Sequence, residues 1–558
     1  MKANYLRISM FAFAASALFA ACSQDEVMDS PAAQQSLAIS ATQQGFESVD
    51  PQTRVAEDGY ATKFENGDQM GLFVIENVGA DNARIILRNV PMTYDGTKWT
   101  TESPVYFYEN SDYIAYFPYD AALSVTKVTT NELKDEITTA FSSKLTNQTT
   151  IEEYRKADLM MASVSASSLS LQTESTKKLA FQLKHAFSMI EVQVPVYNFF
   201  YKDRANQDVD FSVPMQNMTL NLNGAAFSPL HIGNGVYRKL IVAGQEIKAG
   251  KDGFNGEFYD PKDYKPVKFE SSSAAAAVLP AGNYKKFNVT MAGHSSAKAE
   301  RNIIGDYFCQ DGSIYPGDFS SSCLPKNIVG VVYADVKDGD FTGDNANKYS
   351  YYVVALQGMS STNFSGNQLD ITGLGNNGDN SSTDAFSPVL SDMLGYDHTQ
   401  IVKTNADQKI WTKINEKYVA DPTYKLSAST SGWFIPSAGQ LFRLTELMGF
   451  ASVESFSKSM NGTKFQLTAD DATGLSKLVD KHKNASTNQG LSSKPSDYDF
   501  TQLIWTSTQM VKEGDETNGF TSCVCCLQIQ TTSPNKLLIS IEKMNKTAGR
   551  YVRPILAF

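Results

Sequence analysis

Apolar and polar residues alternate in short runs over the first half of the chain. Leu37, Ile39 and Ala41 recur at every second position, which suits one face of a strand. "QTRVAEDGY" interrupts at 52–60, and "KFENGDQMGLFV" then gives a turn at Asn66-Gly67-Asp68 and an apolar run from Met70 to Val74. "VYFYENSDYIAYFPYD" predicts two aromatic strands around a polar turn at Glu109 to Asp112. Residues 180–194 alternate through Phe181, Leu183, Ile190, Val192 and Val194, and "VLPAGNYKKFNVTM" at 278–291 reads as a turn and a strand. Few of these stretches carry a long 3.6-residue period, so β-sandwiches are the natural expectation.

The character changes after residue 300. "NIVGVVYADV" and "SYYVVALQ" are buried-strand runs, whereas Ile410, Ile414 and Tyr418 recur every four residues and predict a helix. In "GWFIPSAGQLFRLTELMG", at 432–449, Ser437 can cap a helix and Gln440 can complete a capping box. Leu441, Leu444 and Leu447 form its apolar stripe, and Gly449 stops it. "LIWTSTQM" is a strand, and "GRYVRPILAF" is a final strand.

Composition narrows the function classes. The 558 residues suit about three domains. At 42% apolar and 20% charged, the chain can bury sizeable cores. The net charge of -11 becomes -13 without Lys2 and Arg7, which argues against nucleic acid as a partner. Five scattered histidines, His185, His231, His294, His398 and His482, show no zinc-ligand spacing, and no cofactor is expected. His185 reads as a structural histidine within a strand.

Lys2 and Arg7 precede an apolar run from Ile8 to Ala21, too short to span a bilayer stably, which predicts a signal peptide at 1–21. Leu18-Phe19-Ala20-Ala21-Cys22 resembles a bacterial lipobox, implying lipidation at Cys22 and a tether over 22–35. Ser23-Gln24-Asp25-Glu26 resembles the acidic tag of surface-exported lipoproteins in Bacteroides-type bacteria. The implied location is the outer membrane and cell surface.

Five phrases in order resemble the fimbrillins, or type V pilins. They are Thr53-Arg54; Phe64 with Gly67-Asp68 and Gly71-Leu72-Phe73; Ala157-Asp158-Leu159-Met160; Phe181-Gln182-Leu183-Lys184-His185-Ala186-Phe187-Ser188; and Leu279-Pro280-Ala281-Gly282-Asn283-Tyr284. The resemblance implies two tandem transthyretin-like β-sandwiches, at 36–175 and 176–298. It also implies cleavage between Arg54 and Val55, loss of the first strand, and a groove that a neighbouring pilin subunit fills with its own strand. Residues 299–558 resemble a C-type-lectin-like module related to the formylglycine-generating-enzyme and fibrobacter-major-domain group. The carrying phrases are Gly305-Asp306-Tyr307, Asp311-Gly312, Val329-Gly330-Val331-Val332, Gly395-Tyr396, Trp433 with Pro436-Ser437, Trp505-Thr506-Ser507 and Val552-Arg553-Pro554. The expected fold class is mainly β: two sandwiches and an α+β C-terminal domain.

The C-terminal module offers few candidates for chemistry. Trp433 and Trp505 could stack on sugar rings, but they lie in the module's recurring phrases and read as core. Asp338, Asp340 and Asp344 could supply oxygen ligands for calcium, yet Tyr349 stands where an EF-hand needs a bidentate Glu, so the stretch reads as a polar loop. Cys309 and Cys323 flank a loop of the module and could form a disulfide. Cys523, Cys525 and Cys526 lie in a strand-like run and read as buried small hydrophobes. No catalytic signature appears, so an oxidase of the formylglycine type ranks last and no enzyme is expected.

The terminal "GRYVRPILAF" looks like a strand paired within its own domain, so it is not free for donation. The expectation is a fimbrial tip subunit whose adhesin-like head binds a glycan or a surface protein. The alternative is a permanently anchored glycan-binding lipoprotein that never polymerises.

Overall fold

The computed structural model describes residues 36–49, 63–170, 177–367, 371, 373–374, 387–405, 407–461, 464–492, 494–510, 523–532 and 535–558. It is mostly β, with several sheets and few helices of any length. The chain divides into two units. The first comprises Met1–Phe46, Glu57–Ser143 and Arg155–Ala186; the second comprises Glu47–Ala56, Lys144–Tyr154 and Phe187–Phe558.

The N-terminal strands are β1 (Ala38–Gln43), β2 (Glu47–Ser48), β3 (Gln69–Glu76), β4 (Arg84–Tyr94), β5 (Trp99–Thr100), β6 (Ser111–Phe117), β7 (Met160–Ser165) and β8 (Lys178–His185). All but β2 form the seven-stranded sheet of the first unit, in the order β1-β8-β7-β6-β3-β4-β5. Met70, Leu72 and Val74 of β3 and Leu179, Phe181 and Leu183 of β8 are buried in its core. The boundary expected at 175/176 falls before β8, whose alternate residues complete this core.

The motif glycines have local reasons. Gly67 has φ +95° in the turn that leads into β3, where its N–H donates to the Tyr94 carbonyl at 2.8 Å. A Cβ on Gly71 would lie 2.0 Å from the Tyr116 ring, so only glycine leaves room for that side chain. A helix over Thr130–Ser142, absent from the sequence reading, buries Leu133, Ile137 and Phe141, and Phe141 meets Tyr116 edge-on at 6.0 Å.

In the second unit, β2 pairs in parallel with the strand Asn283–Asn288 at the edge of a five-stranded sheet. Beyond residue 300 a five-stranded and a seven-stranded sheet carry two large apolar clusters. The capping box forms as expected: Ser437 Oγ accepts from the Gln440 N–H, and Gln440 Oε1 accepts from the Ser437 N–H at 3.0 Å. The helix it starts is broken into Ala438–Phe442 and Leu444–Leu447. Ile410, Ile414 and Tyr418 are buried as the period requires, although the last turn widens into a π-helix over Asn415–Val419.

Candidate functional site

The edge of the first unit's sheet is built from β1 on β8. The two run parallel over six residues, from Ala38 opposite Lys178 to Gln43 opposite Leu183. Ladder ends are closed by Ala38 N–H to the Lys177 carbonyl at 3.0 Å and Gln44 N–H to the Leu183 carbonyl at 2.9 Å. Ahead of β1, Leu37 N–H donates to the Val105 carbonyl at 2.8 Å, and Ser36 bridges Tyr106. No strand among the described residues pairs with the outer side of β1. An edge of this kind carries an open row of backbone donors and acceptors.

The apolar face of β1 is lightly held. Ile39 and Ala41 are only half-buried, and Ala38, Ser40 and Thr42 are exposed. Leu37, just before the strand, is buried and contributes roughly 1.5–3 kcal/mol. By contrast, the same face of β8 buries Leu179, Phe181, Leu183 and His185 completely or nearly so.

His185 ends this row. Its Nδ1 lies 2.7 Å from Asp158 Oδ1, and both side chains are buried. Phe46 covers the imidazole, with ring centroids 3.7 Å apart and planes 19° from parallel. Nε2 is buried without a hydrogen-bond partner among the described residues. The structural reading of His185 therefore gains a named acid, Asp158, which the phrase Ala157-Asp158-Leu159-Met160 supplies from the turn before β7.

The opposite end of the chain is held differently. The strand Ile555–Ala557 pairs antiparallel with Tyr351–Ala355, from Tyr352 opposite Ala557 to Val354 opposite Ile555. On its other side, Phe434 and Ile555 exchange two backbone hydrogen bonds of 2.8 and 3.0 Å. Ser431 N–H also donates to the Ala557 carbonyl at 2.8 Å. Ile555, Leu556 and Ala557 are fully buried, and the Phe558 ring lies 4.5 Å from that of Phe308. Just before the strand, the buried Arg553 guanidinium donates to the carbonyls of Asp497 (2.7 Å) and Tyr498 (3.3 Å) and stacks over Phe500 at 4.3 Å.

The remaining candidates do not converge on one site. Cys22, Arg54 and Val55 lie outside the described residues. Cys309 and Cys323 are buried in one apolar cluster as free thiols, pushed up by burial to about 12 and about 11. Asp338 pairs with Arg204, Asp340 is buried against Lys337 N–H, Tyr352 and Arg443, and Asp344 is exposed. Asp338 and Asp340 therefore face separate partners rather than a common cation, and no metal-binding cluster occurs among the described residues. Trp433 and Trp505 are buried, and their indole N–H groups donate to the carbonyls of Tyr424 (3.1 Å) and Thr362 (2.8 Å). Neither buried ring presents a face on which a sugar could stack.

Cys525 and Cys526 point into opposite clusters, and burial pushes Cys525 to about 12 and Cys526 well above the thiol range. Thiols held protonated in this way are poor nucleophiles. The side chain of Cys523 lies outside the described residues.

One grouping escaped the sequence reading. Asp392, His398 and Ser507 meet in the core of the second unit, with His398 Nδ1 3.2 Å from Ser507 Oγ and 3.7 Å from Asp392 Oδ2. A hydrolytic relay needs the acid and the hydroxyl on different ring nitrogens. Here both lie at Nδ1, and all three side chains are buried, with His398 pushed below the usual imidazole range by that burial. Thr508 Oγ1 donates to Asp392 at 2.6 Å and also accepts from the Ala438 N–H, so the group ties a strand to a helix start.

Residues 53–229 match the family model described as Fimbrillin-like, a range that enters both units. Over 486 residues the chain is 22% identical to a Bacteroides ovatus protein named "Putative fimbrium tip subunit Fim1C", covering 77% of this chain and 84% of that one. The crystal structure of a fimbrial protein from Bacteroides ovatus aligns with TM-score 0.51 and 19% identity, over 94% of this chain and 100% of that one. That likeness is one of fold.

Proposed function

We propose that this fimbrillin-like chain is a fimbrial tip subunit, which accepts a strand from a neighbouring subunit and does not donate one. The observation that carries the reading is the contrast between two of its strands: β1 is half-buried and paired on one side, whereas Ile555–Ala557 is buried and paired on both. A strand held on two sides cannot be given away without opening its own domain. A lightly held edge strand can be replaced by another that satisfies the same ladder on β8. The named relative in Bacteroides ovatus supports the placement at the tip.

In this account the chain is exported as a lipoprotein acylated at Cys22 and carried to the cell surface. Cleavage between Arg54 and Val55 frees it from the outer membrane and releases β1. A neighbouring pilin then supplies a strand to the vacated edge. Residues 299–558 form the outward head, a lectin-like module whose ligand is a glycan or a surface protein. A strand-exchange subunit needs no catalytic group.

The test is the N-terminus of the protein in sheared fimbriae, read by mass spectrometry. A start at Val55 is expected, and Arg54→Ala is expected to hold the acylated Cys22 form in the membrane and deplete the sheared fraction. If Cys22 stays acylated in the unaltered protein and none reaches the fimbriae, the chain is an anchored surface protein and the tip reading fails.

A further inference from the structure

Strand replacement along β8 involves two kinds of contact. Backbone pairing accepts any extended chain, and the half-buried places of Ile39 and Ala41 accept many apolar side chains. Neither explains how a subunit would choose one partner. The place of Phe46 is different in kind. There a planar ring lies flat on His185 at 3.7 Å, behind which Asp158 fixes the imidazole at 2.7 Å. Phe46 belongs to the segment that cleavage after Arg54 would release, so the cover of His185 leaves with β1.

We infer that His185, held by Asp158, is the specificity-determining residue of the acceptor edge, and that the incoming strand must carry an aromatic side chain to stack on it. This rests on the strand-exchange reading above. The occupant is defined by the segment it replaces: apolar residues at the places of Leu37, Ile39 and Ala41, then an aromatic ring at the place of Phe46. Loss of Phe46 uncovers a flat, oriented imidazole edged by a carboxylate. An aliphatic side chain fills the space without matching the ring face, whereas an aromatic one restores both burial and stacking. Nε2 adds a second consideration. It is buried without a partner among the described residues, which is unfavourable and weakens the hold on the resident segment. An incoming strand that brings a hydrogen-bond partner to Nε2 would therefore outcompete the resident one.

The experiment uses the full chain with a specific protease site placed at 50–54 and cut to completion. Peptides with the sequence of residues 36–49 then compete for the edge, read by fluorescence anisotropy. The Phe46→Trp peptide is expected to bind within about threefold of the parent, Phe46→Leu about fivefold weaker, and Phe46→Ala at least about thirtyfold weaker. In the Asp158→Asn/His185→Leu protein, the gap between the parent and Phe46→Leu peptides is expected to close. The peptide series on the unaltered protein decides the matter even if that double variant does not fold. Equal binding of the parent, Leu and Ala peptides overturns the inference while leaving strand exchange intact. Failure of every peptide, the parent included, refutes strand exchange itself and the inference with it.

Discussion

Two strands of this molecule have similar lengths of apolar sequence and opposite surroundings. β1 lays Ile39 and Ala41 on the first unit's core at half burial and leaves its outer backbone edge unpaired by any described strand. Ile555–Ala557 buries every side chain, is paired on both sides, and is approached through a buried arginine. Hydrophobicity alone would not separate "LAISA" from "ILAF". What separates them is how many neighbours each strand has, and that is a property of topology. On the proposed strand exchange, β1 must be held firmly enough to fold with the domain and loosely enough to leave, and a single ladder with half-buried side chains suits both.

Perturbing each strand should break or sharpen this contrast. The largest effect is expected from Leu556→Asp, which puts a charge into a fully buried site. It should cost more than about 4 kcal/mol and leave the second unit unfolded by near-UV circular dichroism.

Acid should act next, through His482. Burial, aided by Arg553, lowers this imidazole from 6.5 to about 3. The unfolded chain therefore takes up the proton first. The contribution is complete above pH 6.5 and is lost as pH falls toward 3, by up to roughly 5 kcal/mol. Urea unfolding between those pH values should show this slope, and His482→Phe should flatten it.

Arg553→Met takes the guanidinium from the Tyr498 carbonyl and leaves the Asp497 carbonyl with only the Gly358 N–H as donor. The expected loss is about 2–4 kcal/mol in the same unfolding transition, with the first unit unaffected. The smallest effect is expected on β1. Ile39→Ala should cost only about 1 kcal/mol, since the side chain is half exposed. A loss there as large as that of Leu556→Ala would erase the distinction between the strands.

Much of the β framework was legible. The alternation at Leu37, Ile39 and Ala41, the turn at Asn66-Gly67, and the pattern at 180–194 all fall on observed elements, although 180–194 is two strands, divided at Ala186-Phe187. The capping box at Ser437 and Gln440 was readable because it depends on residues three apart. The helix Thr130–Ser142 carried its signal in Leu133, Ile137 and Phe141, spaced by four, but its mean polarity hid it among polar turns. The candidate site was readable only in halves. β1 and His185 each stood in a visible strand pattern, but nothing local places Phe46 on His185, 139 residues away in the chain. The Asp392, His398 and Ser507 grouping was invisible for the same reason.

The measurement that tests the central claim most directly is hydrogen–deuterium exchange on the full chain before and after specific cleavage at 50–54, with the freed segment washed away. The account predicts that amides of β8 lose protection after cleavage and regain it when the 36–49 peptide is returned, while those of Tyr351–Ala355 and Ile555–Ala557 stay protected throughout. Protection of β8 that is unchanged by removal of the segment, or exchange at Ile555–Ala557 as fast as at β1 in the intact chain, would contradict it.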